Sequence, residues 1–421
     1  MGKMITPRAA YLHIPFCRRR CYYCDFPISI LGDKTDIETS PTIDEYVEIL
    51  CSEILNTPCY GDDLSTIFFG GGTPSLLPVS SLGKILSALA KRFGIAKEAE
   101  ISLEIDPGTF NHEQLQGYFN LGVNRVSLGV QAFQEELLQN CGRFHCLKDI
   151  FSAVELIKQL NCAEWSLDLI SGLPTQTLDQ WRDSLHTAIS LEPNHLSCYD
   201  LVLEPVTAFG KKYQPGESPL PSDQTTAQMY RLAQQTLTEA GFQHYEISNY
   251  AQPGYQCRHN RVYWENKPYY AFGMGAASYI DHQRFSRPRT RKTYYDWVKN
   301  MTNSPKDNIE ASISGTDLLL ETLMLGLRLA EGIRAADIQG LFGQAVWDQV
   351  IDCLEPYAKR GWVLGLCGTE LIADSMPMGL KTCDHIRLSD PEGFLFSNTV
   401  LATLFERMDS DSVEILVNNG E

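Results

Sequence analysis

The sequence lacks a long apolar run. A membrane-spanning helix needs roughly 20 consecutive apolar residues, and the most apolar segment here, LLLETLMLGLRLAEG, is interrupted by Glu321, Arg328 and Glu331. The N-terminal segment MGKMITPRAAYLHIP also lacks the apolar core and the small-residue cleavage site of a secretory signal. We therefore predict a cytoplasmic protein without a membrane span.

The chain also has fewer positively charged residues than negatively charged ones. The chain has 35 Lys and Arg residues against 52 Asp and Glu residues, which gives a formal net charge of -17. A surface of this sign repels phosphate backbones and anionic lipids. The sequence therefore predicts no nucleic-acid partner, and it predicts that any transient membrane association occurs through a partner protein or a local basic patch.

The sequence also lacks the cysteine pattern of a disulfide framework. The 13 cysteines are odd in number and scattered through a chain without a secretory signal, a pattern typical of reduced thiols. Cys51, Cys162 and Cys198 are predicted to be small core residues. With 421 residues and 43% hydrophobic content, the chain is long and apolar enough to fold into more than one domain.

The first half of the chain contains six short β-rich segments, each followed by a helical pattern. These segments are AAYLHI, STIFFGG, AEISLEI, NRVSLGV, EWSLDLI and HLSCYDL. Intervening segments such as VSSLGKILSALAKRF place apolar residues at three- and four-residue spacing, which indicates amphipathic helices. This alternation predicts an α/β fold with a parallel sheet covered by helices, either an open doubly wound sheet or a partial barrel.

The rest of the chain divides at changes in composition. We predict a barrel over 1–215, an α-rich extension over 216–300, and a small, mostly helical domain over 301–421. The extension begins with the helical pattern TTAQMYRLAQQTLTEAGF and continues as a loop rich in aromatic residues and glycine. The segment NMTNSPKDNIEASISGTD is typical of a linker, and GWVLG is a strand candidate in the last domain.

Three cysteines are grouped in the segment FCRRRCYYCDF. Cys17, Cys21 and Cys24 directly follow the first predicted strand, where parallel β/α folds place their active sites. Soft thiolates select zinc or an iron–sulfur cluster. A structural zinc site needs a fourth ligand, and the local candidate, His13, lies inside the predicted strand. A [4Fe–4S] cluster held by three cysteines leaves one iron open to a ligand, so the pattern favours a cluster.

Polar residues and glycines follow the later predicted strands. FFGGGTPS places glycines and Thr73 after the second strand, where a backbone without side chains can approach a ligand closely. Glu104, Gln131, Arg143 and Asp168 lie at or near the ends of the next strands. Each alone is compatible with a structural role. Together they complement an amino acid joined to a nucleoside, with a guanidinium for the carboxylate and carboxylates and an amide for the ammonium and ribose hydroxyls.

The cysteine segment resembles the cluster loop of the radical S-adenosylmethionine (SAM) superfamily. The resemblance rests on the spacing C-x3-C-x2-C after a first strand, with the aromatic Tyr23 before the last cysteine. It implies a partial (β/α)6 barrel and a [4Fe–4S] cluster whose open iron binds the amino and carboxylate groups of SAM. It also implies an electron donor, such as a flavodoxin or ferredoxin, for reductive cleavage of SAM.

The order of the strand-end residues is similar to that of the coproporphyrinogen III oxidase-like branch of this superfamily. The resemblance implies two sets of SAM contacts. Those that contact SAM or its surroundings are Tyr11, Gly71, Gly72, Thr73, Glu104, Gln131, Arg143 and Asp168, and those near the adenine are Tyr23 and Val202.

This branch contains the oxygen-independent oxidase itself and the HemW-type heme chaperones, and three features favour the chaperones. Only 16 residues precede Cys17, whereas the oxidase has a longer segment there. The oxidase carries a fourth cysteine where this chain has Phe26. The segment CRHNRVYW, residues 257–264, matches the H-N-x-x-Y-W signature of the chaperones.

The same segment supplies the candidate heme contacts. His259 is a potential axial ligand of heme iron, Cys257 is a second candidate, and Tyr263 and Trp264 offer flat apolar faces to a porphyrin. The alternative is a structural histidine beside an aromatic cluster. The resemblance implies a protein that binds SAM and heme and delivers heme to apo-hemoproteins such as respiratory enzymes, with SAM cleavage residual or regulatory. The alternative function is the oxidase's radical decarboxylation of porphyrinogen propionates.

Overall fold

The computed structural model of the chain describes residues 6–33, 36–303, 314–367, 370–372 and 379–410. Strands in the first half of the chain are β1 (Ala9–Ile14), β2 (Phe16–Cys17), β3 (Ser29–Ile30), β4 (Leu64–Gly71), β5 (Ile95–Ile105), β6 (Arg125–Gln131), β7 (Glu164–Ser171) and β8 (His195–Asp200). Later strands are β9 (Gln243–Glu246), β10 (Asn249–Ala251), β11 (Tyr270–Phe272), β12 (Ala277–Ile280), β13 (Gln283–Ser286), β14 (Ile333–Arg334), β15 (Val363–Cys367), β16 (Glu370–Ile372) and β17 (His385–Leu388).

Helices connect and cover these strands. Those of the first half are α1 (Pro41–Asn56), α2 (Val79–Phe93), α3 (His112–Asn120), α4 (Glu135–Asn140), α5 (Leu147–Gln159), α6 (Leu178–Ser190) and α7 (Ala208–Lys212). Those that follow are α8 (Asp223–Glu239), α9 (Arg258–Trp264), α10 (Arg291–Asn303), α11 (Gly315–Gly326), α12 (Ala335–Phe342), α13 (Gln344–Ala358), α14 (Glu392–Leu395) and α15 (Ser397–Ser410).

A nine-stranded sheet forms the main body, in the order β11-β1-β4-β5-β6-β7-β8-β10-β9. β1 and β4 to β8 are the six strands predicted from the sequence, and neighbours among them pair in parallel. Each helical crossover therefore leads to the next strand in the sheet, which is the winding of a (β/α)6 partial barrel. The predicted α/β fold and partial barrel are confirmed.

The strands form where the sequence is apolar enough to be buried on both faces. β1 is buried at Ala9, Ala10, Leu12 and Ile14, as expected for a parallel strand between two layers. α2 has a different pattern, since its buried residues recur at helical spacing and its last turn carries basic residues. One apolar core joins these layers from β1 to α10.

The aromatic segment after α8 was predicted to be a loop, and this prediction is wrong. It contains β9, β10, α9, β11 and β12. β11 pairs in parallel with β1, with Tyr270 opposite Ala10, and both Tyr270 and Phe272 are buried. Strands of three or four residues are too short to show a periodicity in the sequence, so burial by the neighbouring β1 had no local signal.

The C-terminal part has its own apolar core, which also includes Tyr230 of α8. Here α11 to α15 pack with a short-stranded sheet in the order β14-β17-β15-β16, and this part is mostly helical, as predicted. GWVLG supplies β15, as predicted. Residues 304–313 of the predicted linker lie outside the described residues. Within the described part of the chain, no helix is long and apolar enough to cross a membrane.

The C-terminal part closes one edge of the main sheet. The Ile247 N–H donates to the Arg328 carbonyl oxygen and the Ala330 N–H donates to the Tyr245 carbonyl oxygen, each at 3.0 Å. Nearby, the guanidinium of Arg231 pairs with Glu392 at 2.6 Å. Backbone pairing and charge therefore fix the C-terminal part against β9.

Candidate cofactor site

A cavity of about 520 Å³ lies at the carboxyl ends of the parallel strands. This volume is in the range of roughly 300–1,000 Å³ that is typical of small-molecule sites. The loops that follow β1 and β4 to β8 line it. It brings together the candidate residues Cys17, Cys21, Cys24, Tyr23, Gly71, Gly72, Thr73, Glu104, Gln131, Arg143, Asp168 and Val202.

The three cysteines lie at the end of β2, which Cys17 closes, and in the loop between β2 and β3, which carries Cys21 and Cys24. Its backbone is anchored on two sides, since the Tyr22 N–H donates to the Cys141 carbonyl at 3.0 Å and the Phe209 N–H donates to the Tyr22 carbonyl at 2.9 Å. β2 and β3 pair in parallel, with Cys17 opposite Ile30. The anchored loop therefore presents its thiols to the cavity interior.

The three cysteines are half-buried. Burial raises the pKa of Cys17 to about 12, the Thr73 hydroxyl lowers it, and Asp106, Cys21 and Cys24 raise it further. Burial also raises the pKa of Cys24. With their pKa raised, the Cys17 and Cys24 thiols are protonated at neutral pH before a metal binds, so metal ligation must displace their protons. Three neighbouring thiols form the soft donor set that an iron–sulfur cluster takes.

His13 is poorly placed to complete a zinc site. Its Nε2 lies 2.9 Å from the Pro27 carbonyl oxygen and its Nδ1 lies 3.1 Å from the Tyr11 hydroxyl, so both ring nitrogens are engaged. Over the described ranges, no group of three or more His, Cys, Asp or Glu side chains is placed to hold a single ion. A cluster places its thiolates on separate irons. The residues thus fit a cluster better than zinc.

Arg143 lies beside the cysteine loop and is buried. Its Nη2 is 2.5 Å from Asp106 Oδ1 and donates to the Gly129 carbonyl at 3.0 Å. Its Nη1 lies 3.5 Å from Cys21 Sγ and 3.4 Å from the Tyr23 hydroxyl. Its Nε is buried without a hydrogen-bond partner among the described residues. A carboxylate bound in the cavity would meet a guanidinium with unused donor capacity.

Asp106 is a site residue that the sequence analysis missed. It follows Glu104 by two positions, and alternate residues of a strand share a face, which was the available signal. Its carboxylate accepts a hydrogen bond from the Thr73 hydroxyl at 3.1 Å as well as pairing with Arg143. Asp106 therefore links the glycine turn after β4 to the arginine.

Glu104 and Asp168 are half-buried and line the same cavity with their carboxyl groups. Glu104 Oε2 accepts from the Gly71 N–H at 3.0 Å, and both Asp168 oxygens lie 2.9 Å from Ser127 Oγ. Burial, with Asp168 nearby, raises the pKa of Glu104 to about 8. Burial likewise raises the pKa of Asp168 to about 6. A ligand ammonium group would favour the ionised carboxylates.

The glycine turn after β4 fits closely against the strand that precedes the cysteine loop. Gly71 has φ 114°. A Cβ on Gly71 would lie 2.5 Å from the His13 ring, and one on Gly72 would lie 2.7 Å from the Phe16 carbonyl oxygen. The Thr73 N–H donates to the same carbonyl at 2.7 Å. Packing thus accounts for these glycines, and it also brings Thr73 to within 3.8 Å of Cys17 Sγ.

Tyr11 lies in a second cavity of about 220 Å³, inside the barrel. Glu104 and Asp168 line both cavities, so the two adjoin. The Tyr11 hydroxyl contacts His13 Nδ1. Phe26 also lines both cavities and is exposed at the mouth of the larger one.

The segment CRHNRVYW forms the short helix α9 against the amino-terminal halves of the strands. His259 is fully buried, with Nδ1 2.9 Å from Thr66 Oγ1 and Nε2 2.8 Å from the Tyr263 hydroxyl. Cys257 is buried, with Sγ 3.6 Å from Glu100 Oε1. Trp264 is half-buried at the last position of α9.

The cysteine loop and α9 lie at opposite ends of the strands. Thr66, which contacts His259, is opposite Ala9 at the start of β1, while the cysteine loop follows the end of β1. Six residues of β1 separate these levels, and a strand rises about 3.3 Å per residue. The structure therefore brings the cluster and SAM candidates together and leaves His259 toward the opposite end of the strands, while Cys257 and Tyr263 line the smaller cavity with Tyr11, Glu104 and Asp168.

Comparison with known proteins defines the class. Residues 11–188 match the family model of the Radical SAM superfamily, and residues 313–365 match that of the HemN C-terminal domain. The solved structure of coproporphyrinogen III oxidase (HemN) from Escherichia coli has a TM-score of 0.76 and 22% identity, covering 95% of this chain and 90% of that chain. At this identity the match shows the fold. Fold and cysteine loop together are those of a radical SAM protein.

Curated relatives specify the family. The chain is 49% identical over 412 residues to heme chaperone HemW of Synechocystis sp., covering 97% of this chain and 99% of that protein. It is 37% identical to heme chaperone HemW of Escherichia coli, covering 78% and 84%. The Bacillus subtilis protein of the same name is 34% identical, covering 85% and 92%. The chain belongs to the HemW family, which confirms the resemblance drawn from the sequence.

Proposed function

We propose that this protein binds a [4Fe–4S] cluster through Cys17, Cys21 and Cys24, binds SAM in the adjoining cavity, and carries heme to apo-hemoproteins such as respiratory enzymes. The observation that carries the cofactor part is the convergence of the three thiols with Arg143, Glu104 and Asp168 on one cavity. Membership of the HemW family supports the heme-carrying part.

Each polar group has a role in this proposal. Arg143 binds the SAM carboxylate, since it is a guanidinium that lines the cavity beside the cysteine loop. Glu104, Asp168 and Gln131 bind the ammonium and ribose hydroxyls, and Tyr23 and Val202 flank the adenine. When bound, the cluster supplies the electron for reductive cleavage of SAM.

An electron donor such as a flavodoxin or ferredoxin is part of the proposal, as is a cytoplasmic location. The exposed side of the cysteine loop, where Arg19 and Arg20 are solvent-accessible, is the part of the surface nearest the cluster. Arginines at that position would attract an acidic electron carrier. SAM cleavage itself is proposed to be residual or regulatory.

Heme ligation by His259 requires a rearrangement. Both ring nitrogens are hydrogen-bonded and the ring stacks on Phe68, with centroids 5.2 Å apart. Burial lowers the pKa of His259 to about 3, so the imidazole stays neutral, as a metal ligand must. For His259 to bind iron, α9 has to move away from the barrel. Ligation by His259 or Cys257, with Tyr263 and Trp264 against the porphyrin, stays a prediction.

The experiment that tests the function is a paired anaerobic assay of the cluster-loaded full chain. One arm supplies SAM, a reductant and coproporphyrinogen III, and the other measures heme uptake and transfer to an apo-hemoprotein. We expect stoichiometric heme uptake, transfer to the acceptor and no protoporphyrinogen. Turnover of the porphyrinogen would instead support the oxidase, which the resemblance makes less favoured because Phe26 stands where the oxidase has its fourth cysteine.

A further inference from the structure

Exposed apolar side chains are concentrated where the larger cavity opens to solvent. Phe26, Phe144 and Val202 all line this cavity, and each is exposed. Large exposed apolar groups rarely cluster on a protein surface without a partner. The apolar rim of the cavity therefore has the character of a binding surface for a ligand or a partner.

Two more exposed apolar residues extend this surface along the cysteine loop. The Tyr22 ring lies 3.2 Å from the position that a Cβ on Gly142 would take, and Gly142 lines the cavity. Ile30 is opposite Cys17 in the β2–β3 pair. We call the five exposed residues the apolar mouth, which consists of Tyr22, Phe26, Ile30, Phe144 and Val202.

The apolar mouth is bordered by arginines in a chain that is otherwise strongly acidic. Arg18 and Arg19 line the cavity, and Arg20 follows them in the loop. The Arg19 guanidinium lies 5.5 Å from the centroid of the Phe144 ring and pairs with Asp33 at 2.5 Å. Carboxylates are present as well, since Asp25 and Glu204 line the cavity. The arginines gather at one side of the mouth, on the cysteine loop.

We infer that the heme cargo binds at the apolar mouth, with a porphyrin face on Phe26, Phe144 and Val202 and its propionates toward the arginines of the cysteine loop. This inference rests on the proposed function. A flat apolar macrocycle with two carboxylates on one edge matches an apolar surface with guanidinium groups on one side. The mouth opens above the SAM cavity, so the cargo would lie over the cofactors and not at α9.

This placement leaves the heme iron without a ligand from the mouth itself. The five residues of the apolar mouth include no histidine, cysteine or methionine. His145 lines the cavity, but its Nε2 lies 3.3 Å from the Val130 carbonyl oxygen and its Nδ1 lies 3.5 Å from Arg143. Cargo held by its faces and propionates keeps its iron free for the ligands of the recipient. A carrier gains from that arrangement, because release then breaks no iron bond.

The test measures heme affinity of the cluster-loaded full chain by equilibrium dialysis, with heme quantified chemically because cluster and heme absorb in the same region. Phe144→Ala removes one apolar contact, and Phe151→Ala is its matched control on α5. The two side chains are 45% and 46% exposed. We expect Phe144→Ala to weaken heme affinity about 5- to 10-fold and Phe151→Ala to leave it unchanged.

A second pair of variants tests whether the positive charge at the mouth contributes to heme affinity. Arg19→Gln removes a guanidinium at the mouth, and Arg334→Gln is its control, because both arginines pair with an aspartate at 2.5 Å and their side chains are 59% and 61% exposed. We expect Arg19→Gln to weaken heme affinity several-fold, with a smaller effect at high salt. The control variant should bind heme as the wild type does.

The outcomes separate this inference from the proposed function. Suppose that the wild type takes up heme, that Phe144→Ala and Arg19→Gln bind it equally well, and that His259→Ala does not bind it. That result would overturn the inference about the apolar mouth and leave the proposed heme function intact. Slower cluster reduction by an acidic electron carrier in Arg19→Gln, with unchanged heme affinity, would assign the arginines to a redox partner and also overturn it. Absence of heme uptake by wild type would overturn the heme function itself.

Discussion

The buried carboxylate of Glu100 holds the first turn of α9, with its Oε1 2.9 Å from the backbone nitrogen of His259. Its Oε2 accepts from the Arg258 N–H at 3.0 Å. Because Glu100 belongs to β5, one side chain ties the signature helix of the family to the sheet. This tie explains why the helix forms although it is only seven residues long.

Glu100→Ala is expected to lower the free energy of unfolding by about 2–4 kcal/mol, because it leaves the buried His259 N–H and the part-buried Arg258 N–H unpaired. Glu100→Gln keeps one acceptor and should cost about half as much. Urea unfolding of the cluster-free protein measures both. Glu98→Ala, at an exposed position of the same strand, is the control and should cost little. Equal stability of Glu98→Ala and Glu100→Ala would contradict the role given to Glu100.

His259→Ala separates a structural role from heme ligation. The imidazole joins Thr66 of β4 to Tyr263 of α9, so its removal should destabilise the heme-free protein by about 2–3 kcal/mol. The measurement is urea unfolding without heme. A residue held only for heme would give an unchanged unfolding free energy in that experiment.

Each of Cys17→Ser, Cys21→Ser and Cys24→Ser is expected to abolish the cluster, because a serine hydroxyl does not replace a thiolate on iron. Cluster content is measured as the iron and sulfide content and the visible absorbance of each reconstituted variant. Cys59→Ser, at an exposed cysteine away from the loop, should retain a full cluster. A full cluster in all three loop variants would refute the assignment of the site.

Arg143→Ala should weaken SAM binding about 10- to 100-fold while the cluster still forms, since charge-assisted hydrogen bonds contribute about 1.5–3 kcal/mol each. SAM affinity is measured by equilibrium dialysis on the cluster-loaded protein. Arg182→Ala, at an exposed arginine on α6, is the control. Asp106→Asn offers a second check, because loss of the ion pair should also disturb the arginine.

The raised pKa of Glu104 makes the free energy of unfolding of the ligand-free protein depend on pH. A carboxyl with a raised folded pKa stabilises the fold below its unfolded pKa, and that contribution is lost as the pH rises through the folded pKa. For Glu104 the window runs from about 4.5 to about 8. Relative to Glu104→Gln, the wild type should lose at most about 1.4 kcal/mol of unfolding free energy per pH unit in this window. Parallel stability curves for the two proteins would exclude a raised pKa.

The sequence predicted the six parallel strands because each is an apolar run followed by an amphipathic helix, and both patterns are local. It also predicted which strand-end residues meet in one cavity, since alternation and chain order place them at one edge of a sheet. It failed for β11 and α9, which are fixed by contacts across 190 or more residues, such as that between Thr66 and His259. The burial of His259 and the role of Asp106 depend on such contacts too.

The backbone contacts of Ile247 and Ala330 with the C-terminal part have a consequence for solubility. β9 ends the nine-stranded sheet, and an open edge strand is a template on which a second molecule can pair. In this chain the edge is already occupied by its own C-terminal part, through a bridge between Glu246 and Leu329. The C-terminal part thus covers an edge at which a second molecule could otherwise pair and aggregate.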